Sequence, residues 1–445
     1  MAAYIKLKEL RIALLTLGCK VNQYETDAMK ERLEMAGGQI VGFHEAADIY
    51  IVNTCSVTNV ADKKSRQMLH RAKRKNPEAV IVAAGCYVQA AKDELQKDAL
   101  VDIIIGNNKK NEIVEILSEY FASKQKESRI IDINHTSEFE EMDMSNIDGH
   151  TRAYIKVQDG CNQFCSYCII PYTRGRVRSR KMEEIEKEIV KLTRQGYKEF
   201  VLTGIHLSSY GVDMEQMNLL ILIQKIAQVD GVERIRLGSL EPRIITEEFI
   251  QEVKKIPSFC PHFHLSLQSA CNDTLRRMNR KYTIEEYMEK CDLLRRHFDH
   301  PAITTDVIVG FPGETEEEFA KTVEHLEEIQ MYEMHIFKYS KRKGTRAEKM
   351  PDQVDEQKKN ERSAVLLAMT KKQKKAYEEA LIGTKEQVLL EESIELDGTV
   401  YFTGHTKRYV KIGVRGENLM SNQLVNVKID GFSEKDFLVA DLISK

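Results

Sequence analysis

Four short apolar runs in the first 120 residues, RIALLTLGC, IYIVNTC, AVIVAAGC and VDIIIGN, constrain the fold of this chain more than any other feature. Each is the length of a buried strand and none alternates apolar with polar residues, which is the pattern of parallel strands covered on both faces. Segments with helical spacing, such as ETDAMKERLEMAG and ADKKSRQMLHRAKRK, lie between them. Strand and helix in alternation predict an open parallel α/β domain over residues 8–121. The first three runs each end on a cysteine, Cys19, Cys55 and Cys86. Ligands of open parallel sheets bind at the carboxyl edge, so these three thiols are expected to converge there.

A polar stretch with weak periodicity, residues 122–150, reads as a linker. Six further apolar runs follow: RAYIKVQ, EFVLTGI, RIRLGSL, HFHLSLQS, ITTDVIVGF and EMHIFKYS. With helical patterns between them they give six β/α units over residues 151–377, an incomplete parallel (β/α)6 barrel whose site should lie in the loops after the strands. Beyond residue 377 the pattern changes to short alternating runs with glycine turns. That predicts a small antiparallel β-barrel over 378–445, the scale of an oligonucleotide-binding module. Lys407, Arg408, Lys411 and Arg415 sit there among Tyr401, Phe402 and Tyr409. Cations beside aromatic faces suit nucleic acid, and Lys407 and Arg408 are read as substrate contacts.

A second cysteine group, Cys161-x3-Cys165-x2-Cys168, lies in the loop after the first barrel strand. Structural zinc and iron–sulfur clusters both ask for four protein ligands as a rule, and here again there are three. A zinc site completed by His206 or His264 is one answer. Two [4Fe–4S] clusters, each with one iron left for an exogenous ligand, is the other. The remaining cysteines, Cys260, Cys271 and Cys291, follow no such pattern and are assigned structural roles. Nine cysteines in a chain with no apolar stretch fit to span a membrane and no signal-type cleavage site point to a reducing, cytoplasmic compartment. Net charge is −3, but residues 63–75 carry seven Lys/Arg and no acid, residues 171–181 five and no acid, and residues 341–377 twelve against five. Three such runs beside cysteine motifs or domain junctions favour a polyanionic partner.

The spacing of Cys161, Cys165 and Cys168, with the aromatic Tyr167 before the last cysteine, resembles the radical S-adenosylmethionine superfamily. With three cysteines upstream and a β-module downstream, the chain resembles the methylthiotransferases. LGCKVNQYETD and DGCNQFCSYCIIPYTRGRVRSR match the branch acting on threonylcarbamoyladenosine (t6A) at position 37, beside the tRNA anticodon. The resemblance implies that Cys161, Cys165 and Cys168 hold the cluster that binds and cleaves S-adenosylmethionine. It implies that Cys19, Cys55 and Cys86 hold an auxiliary cluster concerned with sulfur delivery, and that the C-terminal module is TRAM-like and binds RNA. One S-adenosylmethionine would methylate sulfur, and another would yield the 5′-deoxyadenosyl radical that removes the adenine C2 hydrogen. A low-potential electron donor such as flavodoxin or ferredoxin is implied as well.

Within this frame Tyr167, Thr203, Gly204, Ser239, Glu241, Ser266, Gln268, Val309 and Gly310, all in the cysteine loop or at strand ends, become candidate cofactor contacts. Arg174, Arg176 and Arg178 become candidate substrate contacts, with Arg176 expected to read the carboxylate of the threonylcarbamoyl group. The rival readings are a sister enzyme acting on isopentenyladenosine tRNA or a ribosomal-protein aspartate, and a non-catalytic iron–sulfur RNA-binding protein.

Overall fold

The structure, a computed structural model, describes residues 7–142, 144, 151–396 and 398–444. The N-terminal sheet has six parallel strands in the spatial order Gln39–Val41, Arg11–Thr16, Ile49–Thr54, Val80–Gly85, Ile103–Ile105, Glu127–Arg129. Every residue of Ile49–Thr54 and of Val80–Gly85 is buried, which is why these runs lack alternation. The two edge strands are three residues long and partly polar, too short to carry a period. The second corrects the expected linker: residues 127–129 belong to the sheet. Met142 and Met144 are buried, and the Glu140 carboxylate accepts a bond from the Asn111 amide at 2.8 Å. This stretch is therefore packed chain; the linker's residues 143 and 145–150 lie outside the described residues.

The central domain is the expected open barrel. Its strands Arg152–Asp159, Glu199–Gly204 and Arg234–Leu237 form one parallel arc, and His262–His264, Ala302–Val309 and Glu333–Lys338 form a second. Isolated parallel bridges, Ile235 to Phe259 and Leu240 to Leu265, join the arcs. Side chains alternate across a strand. Phe200, Leu202, Ile235, Leu237, Phe263, Ile303 and Val307 enter the apolar core beneath the helices. Their neighbours Arg152, Tyr154, Lys156, Glu199, Arg236, His262, His264, Asp306 and His335 occupy the opposite face, so the lumen is polar.

The C-terminal domain is a closed five-stranded barrel. It is antiparallel except at one pairing, where Lys411–Arg415 runs parallel to Leu438–Ser444. Among the described residues no helix is long and apolar enough to cross a membrane.

This domain docks on the floor of the central barrel through the segment expected to face RNA. Arg234 and Arg236 donate to the carbonyls of Gln387, His405, Thr406 and Lys407. The Tyr409 ring lies under the guanidinium groups of Arg152 and Arg236, at 5.1 and 4.6 Å. Lys407 Nζ donates to the Pro257 carbonyl at 2.8 Å, and Arg408 pairs with Glu386. Lys407 and Arg408, read from sequence as nucleic-acid contacts, thus make contacts within the protein at this joint.

Candidate active site

The upstream thiols meet as the sheet predicts. Cys19 caps the helix Lys20–Met35, Cys55 follows the strand Ile49–Thr54, and Cys86 opens the helix Cys86–Ala90. Gly18 makes the approach possible. It holds φ +108°, and a Cβ there would lie 2.9 Å from both Cβ and Sγ of Cys55. Burial first, then Cys86, pushes the Cys55 thiol up to about 11; burial raises Cys19 too, against a downward pull from Arg174. The guanidinium Nε of Arg174 lies 3.3 Å from Cys86 Sγ.

The downstream triad is held by its own loop. The Cys161 amide donates to the Gly175 carbonyl at 3.0 Å, and the Ser166 amide to the Met278 carbonyl at 3.0 Å. A Cβ at Gly160, φ +72°, would sit 1.7 Å from the Arg176 carbonyl oxygen, so only glycine closes this turn. Burial pushes Cys161 up to about 11 and Cys168 up to about 12. Arg280 places Nη1 3.3 Å from Cys165 Sγ.

All nine cysteines are free thiols. Each triad thus offers three free sulfurs, with one arginine already set against a sulfur. Tetrahedral zinc, with Zn–S bonds of about 2.3 Å, would draw its ligand atoms to roughly 3.8 Å apart. Among the described residues, no group of three or more His, Cys, Asp or Glu ligand atoms lying within 4.8 Å of one another includes a triad cysteine. His206 faces Glu241 at 3.5 Å and His264 faces Asp306 at 3.4 Å. Three thiols in each triad, with one position left open, fit iron–sulfur clusters.

Two structures tie the triads together. The first is a buried knot of charge. Glu25 accepts from Arg174 at 2.8 Å, Lys110 at 2.7 Å and Lys156 at 2.9 Å, while Arg174 and Lys156 also reach Asp159 at 3.1 and 2.7 Å. Burial works to raise the Glu25 carboxyl, but Arg174, Lys110 and Lys156 hold it well below the usual range. The second is the segment 340–347. Arg342 donates to Ser56 at 2.8 Å and pairs with Asp62 at 2.7 Å beside Cys55, while the Ala347 amide donates to the Ser166 carbonyl at 2.8 Å. The two cysteine loops therefore share one edge of the barrel, the mouth of the lumen.

Residues 155–326 match the model of the radical SAM superfamily, and residues 11–106 match that of uncharacterized protein family UPF0004. The threonylcarbamoyladenosine tRNA methylthiotransferase MtaB of Bacillus subtilis is 41% identical over 94% of this chain and 93% of its own. The tRNA-2-methylthio-N6-dimethylallyladenosine synthase of Thermoanaerobacter pseudethanolicus is 35% identical over 95% and 91%. The chain belongs to the radical S-adenosylmethionine methylthiotransferases. A solved radical S-adenosylmethionine methyltransferase, TsrM of Kitasatospora setae, shares the fold with TM-score 0.51 and 14% identity, covering 74% of this chain and 72% of its own.

As in the family, the cofactors are [4Fe–4S] clusters and S-adenosylmethionine. The candidate contacts for the latter divide. Glu241, next to His206, also accepts from the Gln163 side chain at 3.4 Å, placing it beside the downstream triad. Gly204 packs on Gln158, whose Oε1 accepts from the His206 amide at 2.7 Å. Tyr167 packs edge-on against Phe311, ring centres 6.2 Å apart, and Thr203 is buried on the lumen face. Ser239 is exposed. The Ser266 carbonyl accepts from Arg280 and Tyr282, and Gln268 takes φ +72° with its backbone paired to the strand Ala302–Val309. Gly310, φ +71°, lies against Lys359. Val309 is corrected: its side chain is in the apolar core and its carbonyl accepts from the Tyr339 amide, so it offers the cofactor nothing.

The arginines divide as well. Arg174 and Arg178 are buried, and Arg174 is committed to Cys86 and the charge knot, which corrects their reading as RNA contacts. Arg176 is exposed on the rim, its guanidinium 4.4 Å from the Phe164 ring centre. Arg280, Glu25, Asp159, Arg342 and Lys20 were not found by sequence reasoning, because no spacing rule links a cation on one helix to a thiol on a distant loop. Lys20 is solvent-accessible, yet burial, then Arg236 and Arg152, push its ammonium down to about 8. Its Nζ lies 5.9 Å from the ring centre of Tyr154, on the lumen face of the strand Arg152–Asp159.

Proposed function

We infer that this protein replaces the C2 hydrogen of N6-threonylcarbamoyladenosine in tRNA with a methylthio group. The observation that carries this reading is the meeting of both cysteine triads at one mouth over a polar lumen, in a member of the methylthiotransferase family. When bound, the clusters and S-adenosylmethionine supply a carbon radical able to take hydrogen from an aromatic carbon, together with the sulfur and the methyl group. The chain's own residues hold and enclose. Cys161, Cys165 and Cys168 would hold one cluster and Cys19, Cys55 and Cys86 the other, with Arg280 and Arg174 offsetting thiolate charge at Cys165 and Cys86. Glu241, Gly204, Ser266 and Gln268, at strand ends around the first cluster, are the contacts proposed for S-adenosylmethionine.

The tRNA is proposed to rest on the rim of the mouth. Lys63 and Lys64 are exposed and directly follow Asp62, which Arg342 ties to the loop bearing exposed Lys341 and Lys343. Arg176 stacks on Phe164, and Phe164 meets Tyr172, 42% exposed, edge-on at 5.9 Å, a surface suited to unstacked bases. On the TRAM-like barrel, Lys385 and Lys428 face each other across paired strands, and like charges so placed favour a phosphate between them. The cytoplasm is the compartment proposed, with flavodoxin or ferredoxin as reductant.

Nucleoside mass spectrometry of tRNA from a strain lacking the gene, and from that strain complemented, tests the reading. Loss and return of 2-methylthio-N6-threonylcarbamoyladenosine are expected. Loss of the methylthio-isopentenyl nucleoside instead would assign the chain to the sister activity.

A further inference from the structure

The charge knot leaves one cation aside. Lys110, Lys156 and Arg174 are fully buried and each is paired with a carboxylate. Lys20, the first residue of the helix Lys20–Met35, is solvent-accessible, and among the described residues no carboxylate lies within ion-pair distance of it. Its Nζ is 5.9 Å from the ring centre of Tyr154, which occupies a lumen position on the strand Arg152–Asp159. The acids in that part of the lumen are already held: Glu199 by Arg152, Arg234 and Arg236 at 3.1, 3.4 and 3.0 Å, and Glu391 by Arg152 and His405. The first turn of the helix carries no acid either, so its free amides add positive potential at the same place. An uncompensated cation inside a polar cavity, beside a cysteine of the upstream triad, is placed for an anionic ligand.

We propose that Lys20 determines specificity by ion-pairing with the carboxylate of the threonylcarbamoyl group inside the lumen. This rests on the functional reading above. The class of substrate it selects is an adenosine whose N6 substituent carries an anion. Arg176, the candidate from sequence, stacks on Phe164 at the open rim, where water and salt screen a charge. Lys20, beside Tyr154 of the lumen, has no carboxylate partner among the described residues.

The test compares an anticodon stem-loop RNA carrying the threonylcarbamoyl group with the same RNA bearing that carboxylate as its methyl ester. Wild type should prefer the acid in kcat/KM, and Lys20→Met should lower kcat/KM on the acid by about ten- to a hundredfold while leaving the ester within about twofold. Lys20→Arg should recover part of the loss on the acid. Iron per chain and the visible absorption of Lys20→Met should match wild type. Should that variant load iron poorly, equilibrium binding of the two RNAs, which needs no turnover, decides: wild type should bind the acid more tightly and Lys20→Met should not distinguish them. Equal loss on both RNAs, or a Lys20→Met protein that discriminates like wild type, would overturn the proposal. A wild-type enzyme inert on both RNAs would overturn the functional reading and this one with it.

Discussion

The central barrel is gripped on two sides, and the two seams are built from different chemistry. Toward the N-terminal domain the contact is a closed ionic knot, with Glu25 and Asp159 against Arg174, Lys110 and Lys156, all buried and all within 3.1 Å of a partner. Toward the C-terminal barrel Glu199 gathers three arginines, Glu391 pairs with Arg152 and His405 beside it, and aromatic rings fill the space around them. Tyr409 stacks on His405 with ring centres 4.5 Å apart and meets His262 at 5.3 Å. A buried ion pair is weak evidence of net stability, because desolvation offsets much of the attraction. The first seam instead gives placement: it sets Arg174 on Cys86 and brings the two cysteine loops to one mouth. The second seam attaches a module. The difference teaches that buried cations gathered on a carboxylate can serve a site or a joint, according to what else they face.

The largest effect should come from cutting the knot. Arg174→Met leaves Glu25 and Asp159 without one of their two shared cations inside the protein, at a cost of about 3–5 kcal/mol. A fall in melting temperature is expected together with loss of iron from the upstream triad, while the downstream triad keeps its own. Iron analysis in a Cys161→Ala background, where only the upstream triad can load, checks this. If that iron remains, the knot is only a joint and the contrast between the seams disappears.

A smaller effect is expected from Tyr409→Ala, which removes the ring from beneath Arg152 and Arg236 and leaves a gap against His262 and His405. Lost packing and cation–π contact amount to about 2–4 kcal/mol. Protease sensitivity of the C-terminal barrel should rise, with iron content unchanged at both triads. Iron loss in this variant would show that the second seam also supports the site.

The smallest effect is one of pH. Burial, then Arg236, holds His262 well below the ordinary histidine range, and burial lowers His405 too. A histidine kept neutral in the folded protein contributes its full share above the unfolded value near 6.5, and that share is lost as pH falls, because only the unfolded chain then takes up the proton. His262 alone should cost about 1.4 kcal/mol by pH 5.5. In the first seam the carboxylates of Glu25 and Asp159 are held below their usual range, so their share survives until far more acid conditions. Hydrogen exchange between pH 7 and 5.5 should therefore loosen residues 405–409 before residues 20–35. His262→Asn should flatten the difference; equal loosening of both seams would remove it.

Much of this molecule is legible in its sequence. The strands of both parallel domains show as apolar runs, and the six cysteines stand out by their places at strand ends, because sheet register and loop spacing are written in neighbouring residues. The edge strands Gln39–Val41 and Glu127–Arg129 are not legible, since three residues display no period. Val309 was misread because a strand-end position does not say which face its side chain takes.

The sequence by itself determined the fold class, the two triads and the family. Tertiary structure decided the work of each charge. Lys407, Arg408 and Tyr409 look the same in a list whether they meet RNA or another domain, and Arg174, Arg176 and Arg178 share one short stretch yet face a thiol, an aromatic rim and the protein interior. Arg174 meets a carboxylate 149 residues away, and Arg152 meets His405 across 253. Periodicity is a property of adjacent residues, whereas the role of a charge is set by its partner, and only folding brings that partner near.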